Sequence, residues 1–199
     1  MPIAAVVLAA GAATRMGQLK QLLTYGDCTF VQHAIRQALG ARFDPVVVVV
    51  GAGAEQVQAA IAKERVHIVR NEHWGSGMGS SVSAGVRRIQ EEGFDSAAVA
   101  ITLADQPLVT SEHLRAMRRE AHRSGATVVA AQYNGTLGVP AIFARKMFGA
   151  LANLPPDAGA RHLLRQPELQ IRAFPLPEAA VDIDTPDDLR NLLAGGATS

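Results

Sequence analysis

The chain has one cysteine, almost no net charge and no long apolar run, and each scarcity excludes a class of protein. A single cysteine, Cys28, in 199 residues rules out an intramolecular disulfide and any multi-cysteine metal site. A net charge of +1, with no extended basic run, argues against a nucleic-acid binder, which needs a concentrated positive face. Charged residues at 19% fall below the usual share of roughly a quarter, and hydrophobic residues reach 48%, so the composition is that of a folded core and not of a disordered chain. No apolar stretch is long enough to cross a bilayer. Met1-Pro2-Ile3 places no basic region ahead of the first apolar run. The expectation is a soluble cytoplasmic protein that engages neither nucleic acid nor membrane. No repeat or linker is visible, so one domain is expected over residues 1–194, followed by a flexible tail at 195–199.

What is present is an alternation of β-branched apolar runs with helical patterns. Strands are expected at Ile3–Leu8, Pro45–Val50, Val66–Val69, Ala97–Leu103, Thr127–Gln132, Ala141–Phe143 and Leu169–Phe174. Helices are expected at Thr29–Leu39, Ala54–Ala62, Gly79–Glu92, Ser111–Ser124 (Ser111 as N-cap), Arg145–Leu151, Ala160–Arg165 and Pro186–Leu193. Apolar strands separated by helices imply a mostly parallel sheet covered on both faces. Asn134-Gly135 adds a hairpin and hence an antiparallel excursion. The expected fold is α/β: a single-domain, Rossmann-like, three-layer α/β/α sandwich. In such sheets ligands bind beyond the carboxyl ends of the strands. Gly11, Gly51, Asn71 and Asp105 all follow expected strands there.

Four segments carry candidate chemistry. Leu8-Ala9-Ala10-Gly11 leaves the first strand without bulky side chains, and the cations Arg15 and Lys20 follow. Exposed N–H groups and nearby cations suit a phosphate, although an ordinary strand–turn–helix has the same outline. Gly11 to Gly17 lacks the Lys-Ser/Thr of a Walker A loop, and Ala13 breaks a Gly-x-Gly-x-x-Gly fingerprint. Asp105, before Gln106-Pro107, ends a buried strand; it would serve Mg²⁺, which takes one or two carboxylates plus phosphate oxygens, or else cap the next turn. Val181-Asp182-Ile183-Asp184 precedes a good helix start at Thr185-Pro186, with two acids that the cap does not require. Asn71 to Ser81 holds three glycines and three serines, suited to close ligand contact or to a surface loop. His73 and Trp74 receive no catalytic role, Trp74 being readable as local core. Cys28 reads as a small buried residue and not as a nucleophile.

These segments resemble the molybdopterin guanylyl/cytidylyltransferase-like nucleotidyltransferase superfamily along nearly the whole chain. Leu8 to Lys20 resembles its L-A-A-G-x-x-x-R-M-G-x-x-K loop, Asp105-Gln106-Pro107 its D-x-P, and Asp182 to Asp188 its D-x-D-T-P-E-D. Gly138-Val139-Pro140 and Asp157-Ala158-Gly159-Ala160-Arg161 resemble the G-x-P and D-x-G-A-R segments of the cytidylyltransferase branch, with Val139 where that branch often has His. The resemblance implies Mg²⁺-dependent transfer of CMP from CTP to the phosphate of molybdopterin, with pyrophosphate leaving. It implies Arg15, Lys20 and Asp105 as catalytic residues, and Asp105 and Asp184 as metal ligands. Leu8, Ala9, Ala10, Gly11, Asn71, Gly77 and Ser81 join Arg15 and Lys20 in holding the nucleotide, while Gly138, Pro140, Asp157 and Arg161 face the acceptor. It leaves room for a molybdoenzyme or chaperone partner. GTP as donor, another acceptor (sugar phosphate, methylerythritol phosphate or choline phosphate) and a non-catalytic nucleotide-binding domain are the alternatives.

Overall fold

The structure, a computed structural model, describes residues 2–12, 18–183 and 186–195. Deep in its main sheet lies β1 (Ile3–Ala9), every residue of which is buried. Side chains alternate across a strand. Ile3, Ala5, Val7 and Ala9 accordingly enter one core, and Ala4, Val6 and Leu8 enter the other. On either side of β1, and parallel to it, lie β4 (Val46–Val50) and β6 (Ala98–Leu103), with Leu8 paired to both Val49 and Leu103. Between β1 and β4 the chain makes a small separate hairpin, β2 (Thr24–Tyr25) with β3 (Cys28–Thr29). β5 (His67–Arg70) extends the sheet beyond β4. On the other side follow β8 (Thr136–Ala144), β7 (Val128–Tyr133) and β9 (Ile171–Pro175), giving the order β5-β4-β1-β6-β8-β7-β9. Only β8 runs against the rest. The expected mostly parallel sheet with one antiparallel excursion is what forms.

Helices cover both faces. α1 (Phe30–Gly40), α2 (Ala54–Ala60) and α4 (Ser111–Ser124) contribute Val31, Ile35, Val57, Leu114 and Met117 to the core of the Ile3 face. α3 (Met78–Glu91), α5 (Phe148–Ala152) and α6 (Ala160–Leu163) contribute Val82, Val86, Leu151 and Leu163 to the other. A third, small cluster joins Leu23 and Phe30 to Ile183, with Leu189 and Leu192 of α7 (Pro186–Gly195) against it. Gly195 is the last residue of α7, and the rest of the expected tail lies outside the described residues. Among the described residues no helix is long and apolar enough to cross a membrane.

Three local expectations need correction. The strand expected at Ala141–Phe143 is the nine-residue β8. Its pairing slips from Ala130↔Ala141 to Ala131↔Gly138, so Val139 and Pro140 form a bulge in which a proline without an N–H is tolerated. That proline made the strand read short. The N-cap of α4 is Thr110, not Ser111: its hydroxyl accepts from the His113 N–H, and His113 Nδ1 accepts from the Thr110 N–H. The Ser111 N–H donates instead to Gln37 Oε1 at 2.7 Å. The β2–β3 hairpin went unread because its strands are two residues long, too short for a period-2 signal. At its turn Gly26 has φ +63°. The Asn134-Gly135 turn holds as expected, both residues having positive φ. Cys28 is buried, and burial pushes its thiol up, which suits a packing residue.

His33 on α1 donates through Nε2 to the Pro107 carbonyl at 3.0 Å, tying the helix to the loop after β6. Burial holds its imidazole below the ordinary value of 6.5, outweighing the raising effect of the Pro107 contact. The unfolded chain therefore protonates first. The stability conferred by neutral His33 is complete above about pH 6.5 and declines as the pH falls below it. Thermal unfolding at pH 7.5 and pH 5.0 should show a larger loss for the wild type than for His33→Gln, whose amide still donates but does not titrate. Equal losses would remove His33 from the acid sensitivity.

Candidate functional site

The parallel register of β4, β1 and β6 delivers three chain segments to one edge of the sheet. There the Ala52 N–H donates to the Ala10 carbonyl at 3.0 Å, and the Ala104 N–H donates to the Leu8 carbonyl at 3.1 Å. A cleft of about 380 Å³ opens above this edge. Its floor is Leu8, Ala9, Ala10, Gly11 and Ala12. One wall is Lys20, Gln21, Leu103, Ala104 and Asp105; the other is Trp74, Gly75, Gly77, Met78 and Ser81.

Lys20 and Asp105, expected from separate motifs, meet in this cleft: Lys20 Nζ lies 3.0 Å from Asp105 Oδ2. Both side chains remain partly open, at 17% and 26% exposure, so the pair is accessible to a ligand. The Ile183 N–H donates to the Asp105 carbonyl at 3.4 Å, running the segment of the two C-terminal acids beside Asp105. Ile183 is fully buried and the adjacent Asp182 is exposed, as alternation in an extended segment requires. Arg15 and Asp184 lie outside the described residues. Among the described residues no three His, Cys, Asp or Glu side chains gather for a metal ion. Asp105 nevertheless offers the oxygen donor that a hard divalent cation takes alongside phosphate oxygens.

Three buried amide side chains hold the walls, and none was legible as such. Gln21, 4% exposed, sets its Nε2 at 3.3 Å from each of the carbonyls of Ala9, Gly11 and Ala52. With the Gly11 carbonyl turned toward Gln21, the Ala12 N–H across the same trans peptide points away from it. Asn71 donates from Nδ2 to Ser80 and Ser81 Oγ at 2.8 and 3.0 Å, and its Oδ1 accepts from the His73 N–H. Its amide is thus taken up inside the loop: Asn71 positions Ser81 but does not itself line the cleft. Gln106 donates to the carbonyls of Val139 and Ala179, at 3.2 and 2.8 Å, joining the Asp105 turn to the β8 bulge.

Trp74 is the residue that sequence reasoning missed. It is 37% exposed and Met78 is 47% exposed; they are the exposed large hydrophobics among the described residues, and both line the cleft. Trp74 sits so close over the end of β4 that a Cβ on Gly51 would fall 2.5 Å from its Cβ. The one available signal was its place between a strand end and a glycine-rich helix start. Gly77 has φ +126°, and a Cβ there would collide with the Pro156 carbonyl. The loop bearing Asp157 therefore packs directly on the Gly77 wall. The four expected acceptor residues divide. Gly138 and Pro140 are buried at the β8 bulge, Gly138 against the Tyr133 hydroxyl. Asp157 and Arg161 are exposed, with Arg161 Nη2 3.2 Å from the Tyr133 hydroxyl and its guanidinium 5.8 Å from the ring centroid.

Residues 5–171 match the family described as the MobA-like NTP transferase domain. The chain is 32% identical over 195 residues to the purine catabolism protein PucB of Bacillus subtilis (strain 168), covering 92% of each. It is 33% identical over 200 residues to the nicotine blue oxidoreductase of Paenarthrobacter nicotinovorans, covering 96% of each. The crystal structure of Rv0371c from Mycobacterium tuberculosis H37Rv is similar with a TM-score of 0.81 at 30% identity, over 98% of this chain and 99% of that one. That protein has also been solved in complex with manganese.

The carbonyl tether makes its own test. Gln21→Leu keeps the volume but leaves buried carbonyls without their donor, which costs roughly 1–3 kcal/mol. Urea unfolding should show that loss, and a triphosphate titration should show weakened binding as the loop loosens. Unchanged stability would show that the carbonyls do not depend on Gln21.

Proposed function

The chain belongs to the MobA-like NTP transferase domain family and is a nucleotidyltransferase, and on that premise we propose that it transfers CMP from CTP to a phosphorylated acceptor, molybdopterin first among them. The observation that carries the reading is the Lys20–Asp105 pair, 3.0 Å apart in a cleft floored by backbone. A cation and an acid brought together at a strand edge from two motifs are the means to hold a triphosphate and a divalent cation side by side. On triphosphate binding, Lys20 exchanges the Asp105 carboxylate for phosphate oxygens and neutralises the leaving pyrophosphate. Asp105, with Asp184, would hold a divalent ion, Mg²⁺ in this reading. When bound, that ion supplies charge neutralisation at the α-phosphate. Arg15 adds a second cation to the phosphate loop. Ser81 and the Gly77 backbone hold the nucleoside, and Trp74 and Met78 offer its base an apolar face. Asp157, on the loop packed against Gly77, and Arg161, on the helix that follows it, meet the acceptor, whose phosphate oxygen attacks the α-phosphorus in line. The protein supplies position and charge and no nucleophile of its own.

CTP is favoured through Ala10. It lines the cleft at 5% exposure, its methyl shared with the apolar cluster behind the loop. The guanylyl-type members of the resembled family have Gly at the matching place; the Ala10 methyl, packed beneath the floor, would raise the backbone on which the base rests and disfavour the larger purine. A second reading is prompted by the relative named for an oxidoreduction. The Gly11-x-Ala13 spacing opposes a dinucleotide fingerprint, and release of pyrophosphate without consumption of a reductant separates the two.

Asp105→Asn should fold like the wild type, lose most turnover and bind Mn²⁺ at least tenfold more weakly, because an amide is a poor, uncharged ligand. Wild-type turnover at limiting Mg²⁺ would remove Asp105 from the metal site. Trp74 is the only tryptophan, so its fluorescence reports the cleft directly. CTP should quench it with an affinity that Lys20→Ala lowers by about tenfold or more, the worth of a charged phosphate contact. Competition between CTP and GTP then tests the base: a clear GTP preference would overturn the cytidylyl assignment, and an unchanged ratio in Ala10→Gly would take specificity away from Ala10.

A further inference from the structure

At the opposite end of the sheet, where β1 begins, lies a second concavity of about 620 Å³, lined by Ile3, Arg42, Arg115, Arg118, Arg119 and His122. The length of β1, roughly 20 Å at the usual rise, separates it from the cleft. Arg118 and Arg119 lie three and four residues after Arg115, and His122 lies four and three after them, so all four share one face of α4. The arginines at this spacing repel one another; of the two acids of α4, Glu120 is shared between Arg123 and Arg172, and Glu112, in the first turn, makes no ion pair with them. Other arginines of the fold meet carboxylates, as Arg36 does at Asp27 and Glu64. Among the described residues, none of the four arginines lining this concavity is paired with one.

Two of the four are already held in place. Arg115 Nε donates to the Gly40 carbonyl at 2.9 Å, and Arg118 Nη1 donates to the carbonyls of Ala41 and Arg42 at 3.2 and 3.3 Å. These contacts anchor one edge of each guanidinium on the C-terminus of α1 and leave further N–H donors of each fork for a ligand. Arg42 completes the ring from the other side, in a left-handed conformation at φ +60° that a non-glycine residue adopts only at a cost.

We propose that this concavity is an anion site for a ligand bearing two or more linked phosphates, distinct from the cleft. Planar guanidinium forks match phosphate oxygens bidentately, and several converging on one hollow suit a compact polyanion better than an extended acidic chain. The site is independent of the reaction proposed for the cleft. Apart from Ile3 the lining is arginine and histidine, so the feature recognised is the phosphate chain, and a bare polyphosphate and the tail of a nucleotide are taken alike.

The test is a titration of the whole chain with inorganic tripolyphosphate, followed by amide resonances, without divalent metal at about 100 mM salt. Shifts at residues 40–44 and along α4 are expected, saturating separately from those at Ala10–Ala12. Arg115→Ala with Arg119→Ala should weaken the α4 response at least tenfold while leaving the cleft response in place, and Arg119→Ala alone, which breaks no hydrogen bond or ion pair among the described residues, should weaken it severalfold. The double lysine variant, which keeps charge and loses the forks, should also weaken it severalfold. CTP should match tripolyphosphate at α4. Shifts confined to the cleft, a lysine variant as tight as the wild type, or equal binding of a poly-glutamate peptide would overturn the proposal, leaving only diffuse attraction. A tenfold preference for CTP at α4 would overturn its phosphate-only character.

Discussion

Everything at the site depends on one constraint: β1 is buried on both faces and paired in parallel on both edges. Small and β-branched residues satisfy the two cores at once, with Ala5 and Val7 on one side and Ala4 and Val6 on the other. Parallel neighbours must point the same way, so the segments leaving β1, β4 and β6 emerge together. Ala10, Gly51 and Asp105, far apart along the chain, thereby become neighbours at one edge. The backbone floor of the cleft is a consequence of that burial, since only small side chains leave the strand end low enough to be approached.

The walls are then set by side-chain amides and not by charges. Gln21, Asn71 and Gln106 are all buried, and each bridges backbone or hydroxyl groups from separate segments. A buried amide is costly unless its hydrogen bonds are made, so the bonds these three donate hold their segments in one arrangement, although Gln106 Oε1 is left buried without a partner. The charged groups are thereby freed for chemistry. Lys20 and Asp105 sit on supports that other residues hold, and their mutual pair is partly solvated, which makes it exchangeable.

The two ends of the sheet differ in how charge is managed. At the carboxyl end a cation and an acid neutralise each other on one wall of the cleft. At the amino end arginines crowd one hollow, with helix carbonyls as their protein partners. A net charge of +1 conceals this, because the acids that balance these arginines lie elsewhere on the surface.

The sequence by itself determined the class of fold and which segments, those of Ala10, Gly51 and Asp105 among them, leave the strands at one end of the sheet. Those are local properties: a run of apolar residues marks a doubly covered strand, and the residues immediately after that run must sit at the strand's end. The Asn134-Gly135 turn was legible for the same reason, since its residue types encode its dihedrals. Tertiary structure alone decided the rest. Whether Asn71 touches a ligand or braces Ser81 depends on where α3 starts in space. Trp74 is a cleft residue and not core only because the end of β4 lies beneath it. The β8 bulge is set by how β8 pairs with β7, a register shift that one proline disguised in the pattern. Gln21 is an ordinary polar residue until three carbonyls from two loops close around it. Contacts across long separations have no signature in either segment, because each partner's role is defined by the other's position.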